Sequence, residues 1–132
     1  MYLYGGTEMS LLDKFEQYNK KDIKSITQLS IDKSGYAVFS VDFTEKYGLG
    51  EVFETLSFFI SKTNDNVLGI RFFTDNRGRL RIIKRQISMD ACCGALDLIR
   101  DYKQYLGKYK LINDENHTDY KDCIVEKVQE GN

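Results

Sequence analysis

Two four-residue turns of the same chemistry constrain this chain more than anything else in it. Asp32-Lys33-Ser34-Gly35 and Asp75-Asn76-Arg77-Gly78 each place an aspartate at the first position of a type I turn and a glycine at the fourth. An aspartate side chain bonds the backbone two residues on, and a glycine takes the positive φ that closes a three-residue loop with a bulge. Alternating apolar and polar residues flank both turns. The sequence therefore predicts two β-hairpins, with tips at residues 33–35 and 76–78 and both glycines at positive φ.

Register follows from the turns. With Asp32 opposite Tyr36, facing residue numbers sum to 68. Leu29, Ile31, Ala37, Phe39 and Val41 then share one face, and Gln28, Ser30, Tyr36 and Ser40 mostly share the other. With Asp75 opposite Arg79, facing numbers sum to 154, so Phe73 faces Arg81, Arg71 faces Ile83 and Gly69 faces Arg85. Leu68, Ile70, Phe72, Leu80 and Ile82 become a core face. Arg71, Phe73, Arg79, Arg81 and Arg85 project from the opposite side, with Arg77 at the tip.

Helical spacing appears around the hairpins. Leu11, Phe15 and Tyr18 recur at helical intervals in residues 10–26, with Ser10 as N-cap. In residues 49–62 the stripe is Leu49, Val52, Phe53, Leu56, Phe59 and Ile60. Ser88 opens a third stretch to about residue 106–110, with Ala95, Leu98, Ile99, Tyr102, Tyr105, Leu106 and Tyr109 on one face. The expected class is α+β: an antiparallel sheet of two hairpins with helices packed on one face, in the order helix, hairpin–helix, hairpin–helix. Residues 1–112 form one domain. Residues 113–132 form a polar, acidic tail whose Ile124, Val125 and Val128 can add an edge strand.

The net charge of −1 hides a partition. Residues 1–66 carry seven basic and ten acidic groups, residues 67–112 ten and four, and residues 113–132 two and six. All six arginines (71, 77, 79, 81, 85 and 100) lie in the middle block, five of them in the second predicted hairpin. Guanidinium groups neutralise phosphates, and an exposed Phe73 among them offers a base-stacking platform. The expected site is thus Arg71, Phe73, Arg77, Arg79, Arg81, Lys84 and Arg85. Cationic side chains also solubilise a sheet edge, pair with an acidic tail, or meet an acidic protein partner.

A resemblance adds to this. Ile70-Arg71-Phe72-Phe73, then Asp75-x-x-Gly78, then Lys84-Arg85-x-Ile87-Ser88-Met89 opening a helix, is similar to the core of the positive-cofactor-four-type transcriptional coactivators. The similarity covers about 27 of the 132 residues. It implies a basic hairpin running into a long helix, and a dimer that binds single-stranded DNA through ridge positions Arg71, Phe73, Arg79, Arg81, Lys84 and Arg85.

Other classes find little support. His117, the sole histidine, stands in a polar stretch without a partner that would make it a general base. Asp-x-Lys recurs at 22–24, 101–103 and 119–121, a spacing expected by chance at 30% charged residues. Cys92, Cys93 and Cys123 are odd in number and lack zinc-finger spacing, so they read as buried thiols in a reduced cytoplasmic setting, with no metal. Cys93 near a helix start would have a lowered pKa. Gly5-Gly6 and Gly48-x-Gly50 lack the strand–helix setting of a nucleotide loop, and no cofactor is expected. No apolar run approaches the roughly 18 residues of a membrane helix, and the first ten residues lack a secretory pattern. Tyr102, Tyr105 and Tyr109 suggest contact surface for a homodimer. The expected function is non-catalytic single-stranded nucleic-acid binding. The alternative is an inhibitor carried by a phage or mobile element that acts on a host nucleic-acid or defence enzyme by protein–protein contact.

Overall fold

The computed structural model describes residues 11–15 and 28–128. Nine strands form a single antiparallel sheet: β1 (Leu29–Ile31), β2 (Tyr36–Phe39), β3 (Thr55–Ile60), β4 (Val67–Phe73), β5 (Leu80–Arg81), β6 (Ile83–Lys84), β7 (Ala91–Gly94), β8 (Gly107–Asn116) and β9 (Tyr120–Lys127). Their spatial order is β5-β3-β4-β9-β8-β1-β2-β7-β6. The two end strands follow each other in the chain with only Ile82 between them, so the sheet curls into a nearly closed barrel. The end strands β5 and β6 have two residues each, and very short edge strands of this kind offer little to pair with. Two short helices, α1 (Val41–Tyr47) and α2 (Leu96–Asp101), and a 3-10 turn at Lys103–Tyr105 accompany it. The fold is therefore mostly antiparallel β, and the expected α+β class is overturned.

The first hairpin has the expected register. Leu29 pairs with Phe39, Ser30 with Val38 and Ile31 with Ala37. Gly35 has φ 94°, and the Asp32 side chain accepts from Ser34 N at 3.0 Å. Leu29, Ile31, Ala37 and Phe39 are all buried. Val41 is not the next strand residue. Ser40 instead caps α1 by accepting from Phe43 N at 3.1 Å, and Gly48 ends the helix at φ 69°.

The second hairpin does not form. Residues 55–60, expected within a helix, make strand β3 and insert between β4 and β5. Leu56 pairs with Phe72 on one side and with Leu80 on the other. The Asp75–Gly78 turn therefore straddles β3 instead of joining neighbours. Thr55 holds it there: its hydroxyl donates to Asp75 O at 2.6 Å and accepts from Gly78 N at 2.8 Å. Gly78 is not at positive φ. It is needed because a Cβ there would lie 2.6 Å from Leu56 N.

The C-terminal half differs as well. In place of one long helix from Ser88, residues 91–94 form β7, α2 lasts six residues, and β8 begins at Gly107. The hairpin-into-long-helix arrangement implied by the family resemblance is not what residues 70–106 adopt. Tyr105 and Tyr109 are core residues, 1% and 0% exposed, so they offer no surface to a second copy. The expected tail is not an edge: β9 lies inside the sheet, between β4 and β8. In the N-terminal region expected to be helical, residues 11–15 form a turn with Leu11 and Phe15 exposed, and the rest lies outside the described residues.

The barrel interior is apolar apart from the buried, inward-facing Lys121. Leu56, Leu68, Ile70, Phe72, Cys123 and Val125 meet Leu29, Phe39 and Tyr109 from the opposite wall. Helix α1 adds Phe43, whose ring lies 5.4 Å from that of Phe39 and 6.1 Å from that of Phe72. Burial of this aromatic group is a large share of the hydrophobic driving force, at about 1.5–3 kcal/mol per fully buried side chain. No helix among the described residues is long and apolar enough to cross a membrane.

Candidate interaction surface on the outer face of the sheet

Strand alternation sends every second residue of β3, β4 and β9 outward, and antiparallel register lines them up in rows. Thr55, Phe73 and Tyr120 form one row. The next is Ser57, Arg71 and Asp122, continued on β8 by Glu115. The third is Phe59, Gly69 and Ile124. Gly69 has no side chain, so the third row is notched between Phe59 and Ile124. A cleft of about 400 Å³ opens there, lined by Phe59, Gly69, Arg71, Glu115, Asp122 and Ile124 among others. Phe59 and Ile124 are 51% and 41% exposed. A β-bulge between Leu111 and Asn113 adds the exposed Ile112 on the neighbouring strand.

Arg71 is the centre of this face. Its Nε and Nη2 donate to the two Asp122 carboxylate oxygens at 2.6 and 2.9 Å. Its guanidinium lies 4.3 Å from the Tyr120 ring centroid and 5.7 Å from that of Phe59. The paired bonds hold the Asp122 carboxyl below the usual carboxylate range and push Arg71 up. Such a two-point bond fixes both partners in one orientation. Nearby, the His117 ring stacks on Tyr120 at 4.3 Å and 15°.

The seven expected site residues separate into groups. Arg71, Phe73 and Arg77 come together, with Arg77 lying 5.0 Å from the Phe73 ring. Arg77 also pairs with Asp75 at 2.8 Å and Asp119 at 3.1 Å. Arg79 and Arg81 flank the face from β3's other side, and among the described residues neither has a carboxylate partner. Lys84 and Arg85 belong instead to the β6–β7 hairpin. Lys84 pairs with Glu51 at 3.2 Å, and Arg85 grips Asp90 through two bonds of 2.7 and 2.6 Å. The projected ridge of five arginines is thus broken up, because β3 occupies the place beside β4 where β5 was expected.

This pairing changes the electrostatics. Arg71, Arg77, Arg79 and Arg81 share the face with Asp75, Glu115, Asp119 and Asp122, a balance near zero. The acidic stretch expected as a tail able to add an edge strand supplies three of these carboxylates, Glu115, Asp119 and Asp122. Phe59, Tyr120, Asp122, Ile124 and His117 were the participants hidden in the sequence. Phe59 fell on a helical stripe, and the alternation in residues 120–127 is masked by an inward Lys121 and an outward Ile124.

For metal-binding chemistry, Glu115, His117 and Asp122 bring donor atoms within 4.8 Å of one another. The three thiols are buried and unpaired with each other. Burial pushes Cys93 up to about 12, and likewise Cys123. That is the opposite of the lowering expected at Cys93. Comparison of the chain with protein-family models, with curated proteins and with solved structures finds no match.

Proposed function

We propose that the chain is a non-catalytic binding protein that recognises a protein partner through the outer face of β3, β4 and β9. The observation that carries this reading is the composition of that face. Exposed Phe59 and Ile124 flank a backbone notch at Gly69, with a clamped Arg71 and balanced charge beside them. Aromatic residues and arginine are the side chains that concentrate binding energy at protein interfaces, whereas nucleic-acid surfaces are strongly net positive. The fitting partner presents an apolar side chain to the notch and mixed charge around it.

A photo-crosslinking residue at position 59 tests the reading in lysate of the source cell. The expected adduct is one protein species that survives nuclease treatment and disappears when Gly69→Arg fills the notch. Adducts spread evenly over abundant proteins, or unaffected by Gly69→Arg, overturn it.

A second reading has its own support. Exposed Arg79 and Arg81, without carboxylate partners among the described residues, border the Phe73–Tyr120–His117 rings, a combination that suits a single-stranded nucleic acid. With two such arginines the log–log salt slope of binding is about −1 to −2, at roughly 0.7 per phosphate contact. Fluorescence anisotropy of a labelled oligonucleotide measures it. Binding that vanishes in Arg79→Ala with Arg81→Ala favours this reading, and its absence at low salt removes it.

A further inference from the structure

We propose that Glu115, His117 and Asp122 form a zinc-type divalent-cation site at the end of the β8–β9 hairpin, with one nitrogen and two carboxylate oxygens as ligands and the remaining position open to water. Nε2 of His117 lies 2.9 Å from Oε1 of Glu115 and 3.7 Å from Oδ2 of Asp122. Zinc bonds nitrogen and oxygen at about 2.0–2.2 Å, which sets donors in a tetrahedral shell about 3.3–3.6 Å apart. The two observed distances bracket that spacing. The Glu115 and Asp122 donor atoms lie within 4.8 Å of each other.

The ligands come from three positions that the fold brings together. Glu115 and Asp122 face each other directly across the β8–β9 ladder, and both point outward. His117 lies two residues beyond Glu115, where the turn closes through a bond from His117 N to Tyr120 O of 3.0 Å. Two further contacts prepare the site. The Tyr120 ring under the imidazole fixes the plane from which Nε2 points. Arg71 donates to both Asp122 oxygens, Oδ2 included, and so fixes the carboxylate's orientation while leaving Oδ2 a second lone pair for the metal, as outer partners of metal ligands do. Arg71 is also a positive charge beside the site, so affinity is set by two carboxylates less one guanidinium. An imidazole with two carboxylates selects zinc, cobalt or nickel over calcium and magnesium, which prefer all-oxygen shells.

The experiment titrates the full chain, with thiols kept reduced, with zinc by calorimetry and with cobalt by visible absorption. The expected result is about one equivalent of zinc per chain and cobalt bands without thiolate-to-metal charge transfer. The single histidine gives one pair of ring 15N signals, and the Nε2 signal shifts on zinc addition. His117→Ala and Glu115→Gln, both surface changes checked for folding by circular dichroism, weaken binding by about tenfold or more, the scale of losing part of a metal shell. Three results overturn the proposal: no saturable binding up to millimolar zinc, an affinity unchanged in His117→Ala, or a thiolate charge-transfer band.

Discussion

The two Asp-x-x-Gly turns are near copies in sequence and do different work. Asp32–Gly35 joins β1 to its neighbour β2, and its glycine is required by conformation, at φ 94°. Asp75–Gly78 joins β4 to β5 across an intervening strand, and its glycine is required by space, because β3 backbone lies where a Cβ would go. In each turn the aspartate accepts from the backbone N–H two residues on, at 3.0 Å. Turn chemistry therefore reverses the chain in both places without choosing the pairing partner. The choice belongs to whichever strand buries its apolar face best, and in the second case Thr55–Ile60 wins.

The largest test of this difference is at Gly78. Gly78→Ala forces a Cβ to within 2.6 Å of both Leu56 N, which is backbone, and Thr55 Oγ1, which two hydrogen bonds hold in place. The expected cost is about 3 kcal/mol, the upper end for overpacking. Urea denaturation reads it as a lower midpoint at unchanged slope. Gly78→Asn should be at least as harmful. If Asn rescues stability, the requirement at Gly78 is conformational and the contrast between the turns fails.

Thr55→Val comes next. Valine keeps the shape but loses the hydroxyl that serves both Asp75 O and Gly78 N. Two hydrogen bonds at about 1 kcal/mol each set the expected loss near 2 kcal/mol. Local opening should also spread: amide exchange at Gly78 and Leu80 accelerates while the β1–β2 ladder stays protected. Uniform acceleration across both regions would mean that the strap is not local.

Gly35→Ala should be milder, about 1–2 kcal/mol for a non-glycine residue at positive φ. Its added Cβ is tight only against the Leu96 Cδ1 methyl, at 3.2 Å, while Leu96 Cβ and Cα lie at ordinary contact distances of 3.4 and 3.7 Å. That methyl can move, so the cost is conformational and Gly35→Asn should recover part of it, since asparagine tolerates this backbone region.

These differences explain what the sequence made legible. The first hairpin could be read to the residue because turn and partners are contiguous, and alternation over residues 29–39 agrees with the Asp32–Gly35 loop. The inward set of β4 was readable for the same reason, since Leu68, Ile70 and Phe72 alternate whatever strands flank them. Pairing of β4 with β9 was not, because Arg71 and Asp122 lie 51 residues apart. Thr55–Ile60 was misread because six residues containing Leu56, Phe59 and Ile60 fit a helical stripe as well as a strand. Its β-branched and aromatic content was the available signal. Helix α1 was signalled by Ser40 and Gly48 at its ends, yet the alternation running into it from β2 hid the change of period. At the candidate site the arginines were visible and their carboxylate partners were not. A surface reads as basic in sequence when its counter-charges arrive from a distant strand.

The smallest expected effect separates the two turns by the source of their electrostatics. Both Asp32 and Asp75 are held below the ordinary carboxylate range, Asp32 chiefly by the Ser34 hydroxyl and Asp75 chiefly by the Arg77 guanidinium. A carboxyl whose folded-state pKa is depressed contributes stability above its unfolded value, near 4, and loses it as pH falls through the folded value. Acid should therefore weaken the fold, and Asp32→Asn and Asp75→Asn should each make the acid limb of the stability curve shallower. Salt then distinguishes them. Hydrogen bonds to a neutral hydroxyl are little screened, whereas an exposed ion pair is screened within about 10 Å at 0.1 M salt. Raising salt from low to molar should shrink the difference between wild type and Asp75→Asn and leave that of Asp32→Asn in place. The measurement is the urea midpoint at pH 6 and at pH 3, at both ionic strengths. Equal salt sensitivity in the two variants would mean that the turns share one electrostatic origin, and only the strand between β4 and β5 would then set them apart.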